Sequence, residues 1–315
     1  MEPNDLTVRP LTGRDELDLF NQLPYVLNGQ LADDLDRGRR RPGWMWVALR
    51  RGRVLARAAW WSRPGADDTP FLMDVLDLDD GLPVAERVDV GTRLLRAAMA
   101  AALPEGERPP EFCRFVPPGW RDDTAVREGV ESRTAVLERL GARLFVERLR
   151  LEWRPGAPLP APSGRLAFRP VRGAEELLPL LTSVLEGTLD AHGRDDLTRM
   201  TAREAAVGQW EEEFRNYTTP REWWRVATLP GGEPVGFVLP ARNAYNPIIA
   251  YIGVLPGHRG NGYIDDLLAE GTRVLAGQGA ERVRASTDLG NTPMANAFRR
   301  NGYVAFEHEI DMTWG

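Results

Sequence analysis

The stretch Tyr251–Glu270 reads YIGVLPGHRGNGYIDDLLAE, and the fold turns on it. An apolar strand runs into Val254 and Pro256, the short loop GHRGNG follows, and a helix starts near Tyr263 with Leu267 and Leu268 on its buried face. Strand, glycine loop and helix N-terminus together make an anion site. The first-turn N–H groups lack intrahelical partners and the helix dipole is positive there. Gly257, Gly260 and Gly262 let a phosphate approach the backbone with no Cβ in the way, and Arg259 adds a charged fork. A plain glycine-rich turn before a surface helix is the competing reading of these residues taken alone.

Outward from this stretch, the chain repeats itself. LTVRPLTGRDEL (Leu6–Leu17) matches LAFRPVRGAEEL (Leu166–Leu177) at an offset of 160, and GARLFVERLRLEW (Gly141–Trp153) matches GYVAFEHEIDMTW (Gly302–Trp314) at an offset of 161. Two copies of one domain account for both matches. The expected division is residues 1–153, a proline-rich extended linker at 154–163 (RPGAPLPAPS), and residues 164–315. Each copy opens with a short strand (Leu6–Pro10; Leu166–Pro170) and a helical pattern (Asp15–Leu27; Ala174–Leu189, then Ala202–Tyr217). A hairpin, a strand, a helix, a strand, a helix and a closing strand pair follow. That order predicts the α/β class, with a mixed, mostly antiparallel sheet flanked by helices in each copy.

Composition excludes several chemistries. The chain has 315 residues, 43% apolar and 27% charged, enough for two cores. No apolar stretch is long enough to span a membrane, and MEPNDLTVRP at the start carries no secretory pattern, so a cytoplasmic protein is expected. One cysteine, Cys113, and three scattered histidines give no metal framework. All 40 basic residues are arginine, which rules out a lysine P-loop, a kinase-type strand lysine and a lysine Schiff base. Residues 1–153 hold 23 arginines against 26 acids and the remainder 17 against 20, so neither half is a basic nucleic-acid arm.

The second copy resembles the GCN5-related N-acetyltransferase (GNAT) superfamily. Its motif V-x-P-x-x-R-G-x-G, at the end of the fourth strand, is met by Val254, Pro256, Arg259, Gly260 and Gly262. A second element, N-x-x-[AM] followed by G-[FY], is met by Asn291, Met294, Gly302 and Tyr303. The first copy resembles the family in layout alone. The resemblance implies two tandem GNAT-like domains and an acyl-CoA-dependent N-acyltransferase, with acetyl-CoA as co-substrate and no metal. Acetyl would pass to a primary amine of a small molecule by direct attack in a ternary complex. It also implies that Val254, Leu255, Gly257, His258, Arg259, Gly260, Asn261, Gly262, Tyr263 and Asn291 bind CoA. A monomer or homodimer with no nucleic-acid or membrane partner is expected.

The match has departures. Tyr263 and Ile264 stand where a further small residue is frequent, and Asp265 and Asp266 occupy the first helical turn. Phe298 takes the position of the family's frequent general-acid tyrosine. In the first copy, aligning Leu94-Leu95 with Leu267-Leu268 puts Arg87 and Asp89 in place of Gly260 and Gly262. Residues 1–153 are therefore expected not to bind CoA and to play a structural part. On the acceptor side, Tyr251, Glu186 and Asp190 are the candidate catalytic residues. Glu186 and Asp190 are four apart, as on one helical face. A non-catalytic CoA-binding or interaction module and an aminoacyl-tRNA-dependent transferase are the rival readings.

Overall fold

The computed structural model describes residues 6–63, 69–104 and 106–315. Its contacts divide the chain into two units: Met1–Val146 with Glu309–Gly315, and Glu147–His308.

The first unit contains β1 (Thr7–Pro10), α1 (Leu17–Phe20), α2 (Leu31–Asp36), β2 (Met45–Arg50), β3 (Arg53–Trp61), β4 (Leu72–Leu78), α3 (Val84–Ala102), β5 (Phe112–Val116) and α4 (Thr124–Glu138). β6 (Ala142–Trp153) begins there and passes into the second unit. The second unit continues with β7 (Ala167–Pro170), α5 (Ala174–Leu185), α6 (Ala191–Asp196), α7 (Ala202–Glu212), β8 (Arg225–Thr228), β9 (Pro234–Arg242), β10 (Pro247–Val254), α8 (Tyr263–Gly277), β11 (Val283–Asp288) and α9 (Thr292–Arg300). β12 (Val304–Trp314) starts in the second unit and ends in the first. Strand order is β1-β2-β3-β4-β5-β12 in the first unit and β6-β11-β10-β9-β8-β7 in the second. No helix among the described residues is long and apolar enough to cross a membrane.

The expected division at Trp153 differs from the observed one. The closing strand pair foreseen for each copy is one long strand, and its second half serves the other unit. Residues from Arg148 to Trp153 pair antiparallel with β11, running from Arg148↔Asp288 to Trp153↔Val283. Alternation along a strand specifies which face is buried, not which sheet the edge joins.

The proline-rich segment after Trp153 is also more than a spacer. Ala157 and Leu159 pack on the second unit's core, and Arg273 donates to the Pro160 carbonyl at 2.9 Å. Gly302 (φ +80°) lies so close that a Cβ there would collide with the Pro158 carbonyl oxygen.

The helical reading of Asp15–Leu27 was too long: α1 covers four residues, because Pro24 and a turn interrupt the pattern. α5 stops at Leu185 rather than Leu189, since Gly187 turns the chain at φ +65°. α7 ends at Glu212, not Tyr217. The matched repeat starts do share a structure. Arg9 grips Glu16 (2.6 and 2.7 Å) and Arg169 grips Glu176 (2.5 and 3.0 Å), and each carboxylate also accepts a backbone N–H, from Thr12 and Arg172.

One parallel pairing in each unit stands out, and that of the second unit positions the site. β10 and β11 meet only at Ile248↔Arg284, and β10 carries a β-bulge at Ala250 against β9. Beyond that contact the two strands part toward Val254. The first unit repeats the device, with β4 meeting β5 at Met73↔Phe112 and a bulge at Asp74.

Two consequences are testable. Gly302→Ala should lower stability by about 2 kcal/mol, from the left-handed backbone and the collision with Pro158, and thermal unfolding reads this directly. The Arg9 hydrogen bonds, then the Thr12 N–H, pull the Glu16 carboxyl down to about 2. A depressed acid stabilises the fold above its unfolded pKa and loses that effect as pH falls through the folded one. Glu16→Gln should therefore cost about 0.5 kcal/mol at neutral pH. Its difference from the parent protein should shrink as pH drops from 4.5 toward 2 in acid-unfolding curves.

Candidate active site

The loop between β10 and α8 is shaped by two left-handed glycines, Gly260 (φ +82°) and Gly262 (φ +73°). Gly262 is the N-cap of α8 and offers no side chain to the first-turn N–H groups. A Cβ on Gly260 would meet nothing within 4 Å. Asn261 braces the loop from within, its Nδ2 donating to the His258 carbonyl at 3.1 Å. The two acids of the first turn are engaged elsewhere. Asp265 pairs with Arg300 (both bonds 3.0 Å) and Asp266 with Arg165 (2.5 Å), and neither lines the cavity described next.

Where β10 and β11 part, a cavity of about 590 Å³ opens. Its walls are Ile249–Val254 of β10, Gly260, Gly262, Tyr263 and Ile264 at the start of α8, and Ser286 and Thr287 of β11. Asn291, Met294 and Phe298 come from around α9, residues 187–190 from the α5–α6 turn, and Arg148 from β6.

Of the residues singled out in the sequence, Val254, His258, Arg259, Gly260, Gly262, Tyr263, Asn291, Tyr251 and Asp190 line this cavity. Leu255, Gly257, Asn261 and Glu186 do not. Leu255 packs against the core beneath α5. Glu186 is exposed, and the break after Leu185 takes it off any helical face shared with Asp190. Asp190 is instead the N-cap of α6, its Oδ1 accepting from Gly193 N at 2.8 Å.

Arg259 departs furthest from expectation. Its guanidinium donates to the carbonyls of Val184 (2.8 Å), Glu186 (2.8 Å), Gly187 (3.3 Å) and Val254 (3.2 Å). The fork ties the end of α5 to the end of β10, so it is not held out toward an anion. Asn291 caps α9, its Oδ1 accepting from Met294 N at 3.3 Å. His258 Nε2 lies 3.1 Å from Glu233 Oε1. Phe298 is buried in the wall, edge-on to Tyr303 at 5.0 Å.

Tyr251 stacks on Phe237 (5.7 Å, 8°) and meets Phe214 edge-on (5.7 Å, 68°). Burial pushes its phenol well above the ordinary value and Asp190 pushes it further, against the opposing pull of Arg259. The hydroxyl therefore keeps its proton at neutral pH.

Sequence reasoning missed Arg148. It lies in the first copy's closing strand, yet its Nε sits 3.1 Å from Asp288 Oδ1 and its Nη2 3.7 Å from Asp190 Oδ2. Asp288 is buried behind these groups. Burial and the Asp190 charge raise its pKa, while Arg148 and the Ala191 N–H (2.6 Å) oppose the rise. Nothing in an alternating strand marks one arginine as a cavity residue, and only the strand exchange reveals it.

The first unit lines the equivalent place with charge, around a smaller cavity of about 310 Å³ that Asp77, Asp79, Asp80 and Arg133 border. GTRLL (Gly91–Leu95) corresponds to GTRVL (Gly271–Leu275) at an offset of 180, and Thr92 and Thr272 each bond the carbonyl four residues back, at 2.7 and 2.8 Å. In this register Arg87 and Asp89 lie inside α3 and not in the loop, which corrects the alignment through Leu94-Leu95. Arg87 instead donates from the helix to the loop carbonyls of Asp80 (2.9 Å) and Leu82 (3.0 Å). The bulge residue Asp74 is clamped by Arg40 (2.5 and 2.7 Å), itself held by Asp34. Burial pushes Asp77 up, but Arg114, Arg57 and Arg133 hold it below the usual carboxylate range. Cys113, Glu309 and Asp311 of this unit place one donor atom each within 4.8 Å of one another, one donor short of a structural zinc set.

Comparison with known proteins bears on the fold. Residues 194–303 match the model of the acetyltransferase (GNAT) family. A GCN5-related N-acetyltransferase from Sphaerobacter thermophilus superposes with a TM-score of 0.60 at 17% identity, covering 99% of this chain and 96% of that one. A tandem GNAT protein from the clavulanic acid biosynthesis pathway gives 0.54 at 19% identity, covering 98% of each chain. A GCN5-related glucosamine N-acetyltransferase region of a fungal multi-domain GH3 β-N-acetylglucosaminidase gives 0.54 at 14% identity, covering 99% of this chain and 38% of that one. No curated protein matches. The family model thus covers residues 194–303, and the likeness across both units is one of fold.

Arg259→Ala should release the α5–α6 turn. The expected cost is about 2 kcal/mol of stability. Amide hydrogen exchange at Gly187 and Thr188 should quicken, and unchanged protection there would refute the clamp.

Proposed function

We propose that the second unit is an acyl-CoA-dependent N-acyltransferase that passes an acetyl group to a primary amine of a small molecule. The observation behind this reading is the cavity at the parting of β10 and β11, with an uncapped helix N-terminus and two left-handed glycines at one end. The donor set suits a diphosphate. The start of α8 offers N–H groups without a side-chain cap, and Gly260 leaves open the space a Cβ would fill. Bound there, acetyl-CoA supplies an acyl carbon activated as a thioester.

In this reading Gly260, Gly262 and Tyr263 hold the diphosphate end, with His258 beside them and Val254 and Asn291 along the arm. Arg259 contributes by fixing the loop rather than by direct contact. Asp190 takes up the acceptor amine and its proton, directly or through water. Tyr251, kept protonated by its burial, is the hydroxyl donor in the cavity where Phe298 cannot serve. The first unit, with Arg87, Arg40 and their partners in the equivalent place, is proposed not to bind acyl-CoA.

Phe298 favours one second reading, a CoA-binding module without transfer. The two separate by activity, since tight acetyl-CoA binding with no CoA released by any amine would favour the module. Gly260→Asp puts a carboxylate against the diphosphate and should weaken acetyl-CoA binding at least about tenfold, a change of ~1.4 kcal/mol. Unaltered affinity in titration calorimetry would count against the assignment.

A further inference from the structure

Resting on the acyltransferase reading, we infer that the acceptor is a protonated aliphatic amine carrying no carboxylate, recognised at the Asp190 end of the cavity. The inference comes from counting charges around one carboxylate. Asp190 lines the cavity and is partly exposed, with a side-chain accessibility of 39%. The charged groups around it come from four elements. β6 supplies Arg148 and β11 supplies Asp288, while α6 supplies His192, which acts on Asp288, and the loop before α8 supplies Arg259, which acts on Tyr251.

Arg148 is the cation nearest to Asp190, yet its shorter contact is to Asp288, at 3.1 Å against 3.7 Å. Asp288 is only 4% exposed at its side chain and does not line the cavity, so a ligand does not compete for it. A buried carboxylate deprived of its counter-ion is costly, and this pins the guanidinium to Asp288. Arg259 is occupied by the carbonyls of Val184, Glu186 and Gly187. Asp190 is thus the carboxylate that faces ligand space without a cation dedicated to it. An ammonium group completes the arrangement. A ligand carboxylate would meet Asp190 as a like charge and would have to draw Arg148 away from Asp288. The adjoining walls are apolar, with Leu189 and Ile252 nearby, and suit a methylene chain.

The test holds the carbon skeleton constant and changes its far end. CoA release from acetyl-CoA is followed with butylamine, 1,4-diaminobutane and 4-aminobutyrate at one pH, on the full chain. Acetyl-CoA binding is measured in parallel by calorimetry. The two amines without a carboxylate should exceed 4-aminobutyrate in kcat/KM by at least about tenfold, and Asp190→Asn should raise their KM by about tenfold or more while leaving acetyl-CoA affinity unchanged. Equal or better turnover of 4-aminobutyrate would overturn the inference, as would no turnover of any of the three by protein that binds acetyl-CoA. The wild-type panel stands if the Asp190 variant fails to fold. Absence of acetyl-CoA binding by the wild-type protein would sink the acyltransferase reading itself.

Discussion

The second unit depends on a single backbone event. β10 pairs with its parallel neighbour β11 at one residue and then leaves it, with a bulge at Ala250 bending the strand on its other side. A parallel ladder that continued would bury every N–H and C=O along Tyr251–Val254 in strand pairing. Because it stops, the strands diverge, and the space between them becomes a cavity walled by backbone as much as by side chains. The position of α8, the glycine loop and the wall of Tyr251 all follow from where the ladder ends.

The first unit shows that this backbone device does not by itself define a ligand. Its bulge at Asp74 and its single parallel pair at Met73↔Phe112 reproduce the geometry. There the interior is occupied by paired charge, with Arg40 on Asp74 and Arg57, Arg114 and Arg133 around Asp77. Buried charges of this kind persist only when paired, and the cavity they border, about 310 Å³, is smaller than that of the second unit. One architecture thus carries a cavity of about 590 Å³ in one copy and an ion-pair network beside a smaller one in the other.

Strand exchange alters what counts as a domain. Seven residues of β6 serve the second unit's sheet and the last seven residues of the chain serve the first. The cavity of the second unit therefore takes Arg148 from a segment that, by repeat, belongs to the first copy. Asp190 and Asp288 acquire their cationic neighbour only with that strand in place.

Much of the architecture is legible in the residues. The hairpin at Arg51-Gly52, the strand Phe112–Val116 and the helix Tyr263–Gly277 follow from turn chemistry and apolar period, which are local properties. The glycine loop before α8 follows as well, because only glycine is comfortable at φ near +80°. The partners of long polar side chains are not local. Arg259 looks like an anion ligand until the carbonyls of the α5–α6 turn, more than 70 residues away in sequence, come within its reach. Glu186 and Asp190 look like one helical face until Gly187 breaks the helix. Arg148 looks like any charge on a strand. Sequence determined by itself which segments become strands and helices and where bare backbone is exposed, since those depend on near neighbours along the chain. Which sheet a strand completes, and which charge an arginine neutralises, was decided by tertiary structure, because edges and guanidinium groups accept any partner that geometry brings to them.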